Sequence, residues 1–279
     1  MKNFNNKVIA VTGAGSGIGR ALVIGLRAAG ARVAASDIVE ENLQFLREYG
    51  GESELFLAKL DVSDNTAMIA WAASVKDHFG VVDGIINNAG VALSCHAAEQ
   101  PREHMEWLFG VNYWGVINGV EAFLPELLTR PEACVVNISS LFGLISIPSQ
   151  SSYNAAKFAV RGYSESLRQD IRDTNVRVVT VHPGGIKTNI ANNGRHLNSI
   201  TGNVADAAKT ADIFNRIAAT TPEKAAAVII RGMRRSKPRV LIGSDAKFLD
   251  LIQRVFPGCY DRLLVPLMNA GTRMVLKRI

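Results

Sequence analysis

The sequence predicts an α/β protein, a doubly wound parallel sheet of seven strands with helices on both faces. Three observations predict it. Short apolar runs rich in valine and isoleucine alternate with longer helical patterns, the sign of repeated βαβ units whose sheet is buried on both sides. The order is strand then helix from the start, and right-handed crossovers then place helices on either face. A glycine-rich string at 12–19 sits between the first strand and the first helix. The 279 residues, 48% of them hydrophobic, suffice for one sizeable core, and no linker divides them. One domain over 1–279 is the expectation.

Strands are expected at 7–13, 31–37, 54–61, 83–90, 134–140, 176–184 and 239–243. The first helix, GRALVIGLRAAG, puts Leu22, Leu26 and Ala29 on one face and stops on Gly30. Further helices are read at 65–80, 103–128 and 153–173. From 188 the rhythm breaks: the chain turns long, polar and rich in asparagine, then weakly helical, and 189–221 reads as a substrate lid. At Thr221-Pro222-Glu223 a capping residue, a first-position proline and a first-turn acid start a helix. Another starts at Ser244-Asp245 and opens a basic extension over 244–279.

Charge and cysteines exclude more than they assign. Residues 222–279 hold 12 Lys and Arg against 4 Asp and Glu, so the whole net charge of +6 lies there. Its basic run, RGMRRSKPR, lacks interleaved aromatics and any nucleic-acid module, and reads as cations near a helix end plus a solvated face. Cys95, Cys134 and Cys259 are odd in number and widely spaced, supporting neither a disulfide framework nor a zinc site. None of His78, His96, His104, His182 and His196 has a partner at metal-ligand spacing, so no metal is expected. No signal peptide is visible and no apolar run approaches the ~20 residues of a membrane span, so the expectation is a soluble, cytoplasmic protein. Leu263, Leu264, Leu267 and Met268 share helical spacing among cations, which suits core packing first, or a membrane-surface or subunit contact.

The glycine string, Thr12-Gly13-Ala14-Gly15-Ser16-Gly17-Ile18-Gly19, opens a helix directly. Glycines permit a tight turn and close approach of backbone amides to a pyrophosphate, and the helix presents its positive end to it. Asp37 closes the second strand 18 residues past Gly19, where a carboxylate accepts the adenosine ribose hydroxyls and repels a 2′-phosphate. That favours NAD over NADP, and neither Ser16 nor Ile38 is basic. A helix-capping aspartate is the bland alternative, which leaves NADP open.

Together TGAGSGIG at 12–19, NNAG at 87–90, Ser140, Tyr-Asn-Ala-Ala-Lys at 153–157, and Pro183-Gly184 with Thr188 resemble the short-chain dehydrogenase/reductases, over residues 7 to about 190. The resemblance implies a Rossmann fold and a nicotinamide-dependent oxidoreductase acting on a secondary alcohol or ketone. Tyr153 and Lys157, four apart, leave one helix face. A nearby ammonium should favour the phenolate and lower the tyrosine pKa, making Tyr153 the proton donor in reduction and acceptor in oxidation. Ser140, 13 residues before Tyr153, matches the family spacing and can bond the substrate oxygen. Its neighbour Ser139 points to the other side of the strand, so only one of them faces the site.

The resemblance further implies that Lys157 binds the nicotinamide ribose and that Asn112 holds a water in a proton relay. It implies that Asp61 and Val62 bind adenine, and that Asn87, Ala89 and Gly90 wall the adenosine ribose. Pro183, Gly184, Ile186 and Thr188 would clamp the carboxamide, with His182 structural. Relatives commonly form dimers or tetramers through helices matching 103–128 and 153–171, where Trp107, Phe109, Trp114, Phe158 and Tyr163 could serve such contacts. Two alternatives stand beside this reading: an NADP-preferring carbonyl reductase, and a nucleotide-sensing protein without turnover. A serine hydrolase is excluded by the lack of G-x-S-x-G. The loop 92–100 and the lid are expected to line the pocket.

Overall fold

The computed structural model describes residues 1–197, 218–264 and 266. It begins with β1 (Val8–Thr12), α1 (Gly17–Ala28), β2 (Arg32–Asp37), β3 (Leu55–Lys59), α2 (Asn65–Phe79) and β4 (Gly84–Asn87). After β5 (Leu93–Ser94) come α3 (Arg102–Phe109), α4 (Gly115–Leu128), β6 (Ala133–Ile138), α5 (Ser151–Asp170) and β7 (Val176–Pro183). The described chain continues through β8 (Arg195–His196), α6 (Pro222–Arg234), β9 (Arg239–Ile242) and α7 (Ser244–Val255). Seven of the strands form one sheet in the order β3-β2-β1-β4-β6-β7-β9, every pairing parallel. The strand order reverses at β1 and β4, which opens the crevice where open parallel sheets bind ligands.

Alternation along each strand divides the core. Ile9, Val11, Val33, Val136 and Val179 face α1 and α6, meeting Leu22, Leu26 and Ile229. Val8, Ala10, Ala34, Val135 and Val178 face the other way, onto Met68, Trp71, Val120 and Phe123. Burial on both faces is why these strands read as continuous apolar runs. The start of α6 is as expected: Thr221 Oγ1 accepts from the Lys224 amide at 3.3 Å, with proline at the first position and Glu223 in the first turn.

Four features depart from the sequence reading. A 3₁₀ helix over Glu40–Tyr49 stands where no element was expected, since only Leu43 and Leu46 of that polar stretch are buried. The single helix at 103–128 is instead α3 and α4 joined by a π-helical turn, Gly110–Trp114. The strand at 83–90 stops at Asn87, because the chain must leave the sheet to reach the crevice. β5 and β8 pair as a small second sheet. That pairing, with a bridge between Ile186 and Thr220, anchors the described ends of the expected lid, while 198–217 lies outside the described residues. Among the described residues no helix is long and apolar enough to cross a membrane.

Candidate active site

The glycine loop, Asp37, Asp61 and Val62, residues 87–90, Ser140 and residues 183–188 lie at the carboxyl ends of β1, β2, β3, β4, β6 and β7, with Tyr153 and Lys157 on α5 and Asn112 on the π turn. Gly13 has φ +63°, and a side chain there would stand 2.8 Å from Ala89 Cα, so only glycine lets the loop lie against the end of β4. Gly17 has φ +51° and packs on the Thr188 methyl, 3.0 Å from where a Cβ would be. A Cβ on Gly19 would collide with Gly13 O, which holds α1 tight to β1. The first turn of α1 carries no carboxylate and Ser16 makes no side-chain cap, so the helix N-terminus stands open to an anion. This cradle fits a dinucleotide pyrophosphate.

Three residues that the sequence named only as members of the two glycine motifs, with no role of their own, build the cradle. Thr12 Oγ1 accepts from the amides of Asn88 and Ala89 at 3.0 and 3.1 Å. Asn88 Nδ2 donates to Thr12 O and Gly13 O at 2.9 and 3.1 Å, locking β1 to β4 at the point of reversal. The amide of Gly15 donates to Asp37 Oδ2 at 2.8 Å, and Asp37 Oδ1 accepts from Val39 N at 3.1 Å. Their signal was their place inside the two glycine motifs. Arg20, next to the loop, donates to Gly15 O at 3.0 Å and lies 5.0 Å from the Phe45 ring centre.

Asp61 Oδ1 accepts from Ser63 N at 2.9 Å at the end of β3, and the Val62 carbonyl accepts from Asn118 Nδ2 at 2.9 Å. Asn87 lies at the end of β4, yet its side chain donates to Asn137 Oδ1 at 2.9 Å inside the core, and Asn137 donates to Ser164. Any wall for the adenosine ribose at 87–90 would therefore be backbone. Past β7, Gly184 N bonds Ile242 O at 2.9 Å, Ile186 is buried, and Thr188 meets Gly17. Asp245 of α7, unforeseen in the sequence, accepts from Gly185 N at 2.7 Å and pins this loop.

Asn112 sits at the centre of the π turn and is buried. Its amide exchanges two hydrogen bonds with the backbone of Val91, at 2.8 and 2.9 Å. A wide turn at this point releases the asparagine from the helix ladder toward β4, a use often made of π bulges. The two serines divide as alternation requires. Ser139 Oγ donates to Lys157 O at 2.8 Å within the core, whereas Ser140 Oγ accepts from Phe142 N at 3.1 Å and faces the Tyr153 phenol, whose pKa it lowers. Lys157 is buried, donates to Ile138 O at 3.1 Å, and places its ammonium 5.8 Å from the Tyr153 ring centre. A Cβ on Gly90 would lie 3.1 Å from Asn112 Oδ1 and 3.5 Å from Lys157 Nζ, so glycine keeps the space between them clear.

Burial lowers the Lys157 pKa to about 8. The Tyr153 phenol departs from expectation: burial raises its pKa, and the Ser140 hydrogen bond only partly offsets this. The reason is that desolvation of a buried phenolate outweighs an ammonium that is itself desolvated and bonded to a carbonyl. His182 is fully buried with Nδ1 at 3.1 Å from Ser140 O, and burial lowers its pKa to about 4. Neutral at pH 7, it can only donate to that carbonyl from Nδ1.

Apolar side chains flank the tyrosine. The Phe142 ring stands edge-on to Tyr153, centres 6.3 Å apart at 80°. Tyr153, Val91, Trp107 and Leu197 pack on Leu93, Leu108 and Ala156. Phe142 also packs on a cluster of Leu141, Ile145 and Ile147 that reaches Ala246 and Leu264, while Leu263 is exposed; Leu267 and Met268 lie outside the described residues.

A doubly wound sheet carrying this glycine loop has the architecture of the dinucleotide-dependent oxidoreductases. The chain belongs to the short-chain dehydrogenase family, whose model matches residues 7–199. It is 40% identical over 271 residues to a Mycobacterium tuberculosis chain named oxidoreductase SadH, covering 95% of this chain and 96% of that one. A short-chain dehydrogenase/reductase from Burkholderia phymatum solved in complex with NAD superposes with a TM-score of 0.84 at 27% identity, over 92% of this chain and 95% of that one. Serine dehydrogenase complexed with NADP+ superposes with a TM-score of 0.73 at 28% identity, over 84% of this chain and 94% of that one. The protein is thus an oxidoreductase of this family.

Proposed function

We propose that the protein binds NAD(H) and interconverts a secondary alcohol and its ketone, with Tyr153 as the general acid and base. The observation that carries this reading is the Ser140 hydroxyl beside a half-buried Tyr153 phenol, with the Lys157 ammonium 5.8 Å from the phenol ring centre and on the same helix face. The bound dinucleotide supplies or accepts the hydride. Gly13, Gly17, Ile18, Gly19 and the N-terminus of α1 hold its pyrophosphate. Asp37 spends one lone pair of each oxygen on Gly15 and Val39, and the remaining pairs accept ribose hydroxyls while its charge opposes a 2′-phosphate.

In reduction, Tyr153 gives its phenolic proton to the carbonyl oxygen as Ser140 donates to the same oxygen, so the developing negative charge is met by two donors. A phenol kept neutral by burial is ready for this direction. Oxidation needs the phenolate first. Lys157 holds the nicotinamide ribose, and Asn112, facing the gap that Gly90 leaves, positions water for proton resupply. Its family members' habit of pairing long helices supports a homo-oligomer as well.

The test is NADH and NADPH oxidation over chemically diverse ketones, with Tyr153→Phe as control. Turnover with NADH that Tyr153→Phe abolishes is the expected result. Activity surviving that substitution at wild-type level overturns the mechanism, and tight NADH binding without any turnover favours a nucleotide-sensing protein.

A further inference from the structure

Exposed large apolar side chains are concentrated at one place on the described surface. Of thirteen, five fall between positions 248 and 263: Phe248, Leu251, Val255, Phe256 and Leu263. Phe248, Leu251 and Val255 are 59%, 59% and 58% exposed and, spaced by three and four residues, line one face of α7. The opposite face is already in use. Ala246 and Asp250 are buried, Leu249 packs on the cluster behind the 141–147 loop, and Asp250 is bound by Arg239 and Arg254. The outward stripe adds nothing to the core, and a solvated face would normally carry polar residues there.

Cations border the stripe. Lys247 and Arg254 are exposed on α7 and Arg262 just beyond it. Of the three carboxylates of this segment, Asp250 is buried and held by the two arginines, while Asp245, bonded by Gly185 N, and Asp261 are exposed. Arg273, Lys277 and Arg278 follow in sequence with no further acid. An apolar face a few side chains wide, bordered by long cationic side chains that can bury their stems and keep their heads in water, is the pattern of a helix lying in the plane of an anionic lipid surface.

We propose that α7 and the turn after it dock the protein on anionic membrane surface, with Phe248, Leu251 and Val255 entering the headgroup boundary and Lys247 and Arg262 meeting lipid charge. The inference stands apart from the reaction assigned above.

The full chain would be sedimented with vesicles of phosphatidylserine and phosphatidylcholine in equal parts, and with phosphatidylcholine alone. Partition onto the anionic vesicles, weak on the neutral ones and falling with added salt, is expected. A Phe248→Ser, Leu251→Ser double variant should lose at least tenfold of it, and Lys247→Glu roughly fivefold. All three positions are exposed, so the variants should melt cooperatively, and Arg262→Glu offers an independent second charge reversal. No partition by the wild type, or partition that the apolar and charge variants both retain, overturns the proposal. It is equally overturned if the double variant splits an oligomer while the wild type ignores vesicles, which would make the stripe a contact between copies.

Discussion

The amide of Gly15 and the carboxylate of Asp37 are joined at 2.8 Å, so one side chain both braces the glycine loop and carries the charge that should read the cofactor. Asp37→Asn keeps an acceptor oxygen for the loop and removes the charge. Relief of repulsion on a 2′-phosphate is worth about 1 to 2 kcal/mol, roughly tenfold in relative kcat/KM for NADPH over NADH. An unchanged ratio would show that Asp37 braces the loop without reading the ribose.

Lys157 should set an alkaline limit. Its folded value of about 8 lies below that of an unfolded lysine, so the folded protein sheds this proton first and the ammonium fades as pH rises through 8. The kcat/KM profile, which reports the free enzyme, should bend downward near that pH in the reductive direction. Lys157→Met should show a low and flat profile. The stability sign is opposite: burying the charged form costs on the order of 3 kcal/mol below pH 8, and the cost is relieved as pH climbs toward that of free lysine. A wild-type profile with no bend between about pH 7 and 9 would contradict the assignment.

His182 should make the fold acid-sensitive. With a folded value of about 4 against ~6.5 unfolded, its contribution is complete above pH 6.5 and is lost as pH falls through 4, to a total of roughly 3 kcal/mol. His182→Asn removes the titration and keeps a donor for Ser140 O. Thermal melts from neutral to acid pH should fall less steeply in the variant; parallel curves would show that this histidine is not the responsive group.

What the sequence made legible follows from what local pattern can carry. β1, β6 and β7 are buried on both sides, so their apolar runs announce them, and Thr221-Pro222-Glu223 spells out a helix start chemically. The π turn at Gly110–Trp114 adds one residue to a pattern that otherwise reads as helix, and β5 with β8 contribute two residues each, paired only by tertiary contact. In the site, spacing placed Tyr153 beside Lys157, but whether Ser139 or Ser140 faces the phenol depends on strand orientation. The rise in the tyrosine's pKa was equally illegible, because desolvation depends on neighbours such as Phe142 that no motif marks.

Tyr260 ties the C-terminal extension to the loop beside Tyr153. Its hydroxyl accepts from Ser146 N at 3.0 Å, and the loop so held begins at Ser140 and carries Phe142 against Tyr153. Tyr260→Phe keeps the ring in its cluster with Leu264 and Ile145 and deletes only the acceptor. Ser146 is exposed, so water can replace the lost bond, and stability should fall by only about 0.5 to 1.5 kcal/mol. The loop, however, loses the one side-chain hydrogen bond that it receives from this segment among the described residues. Hydrogen exchange across 141–147 should quicken, KM for ketone should rise severalfold, and NADH affinity should stay unchanged because the glycine loop lies on other strands. A lower melting temperature with unaltered exchange and KM would reduce Tyr260 to a stabilising contact, whereas weakened NADH binding would mean that the extension acts on the whole sheet edge rather than on the loop beside Tyr153.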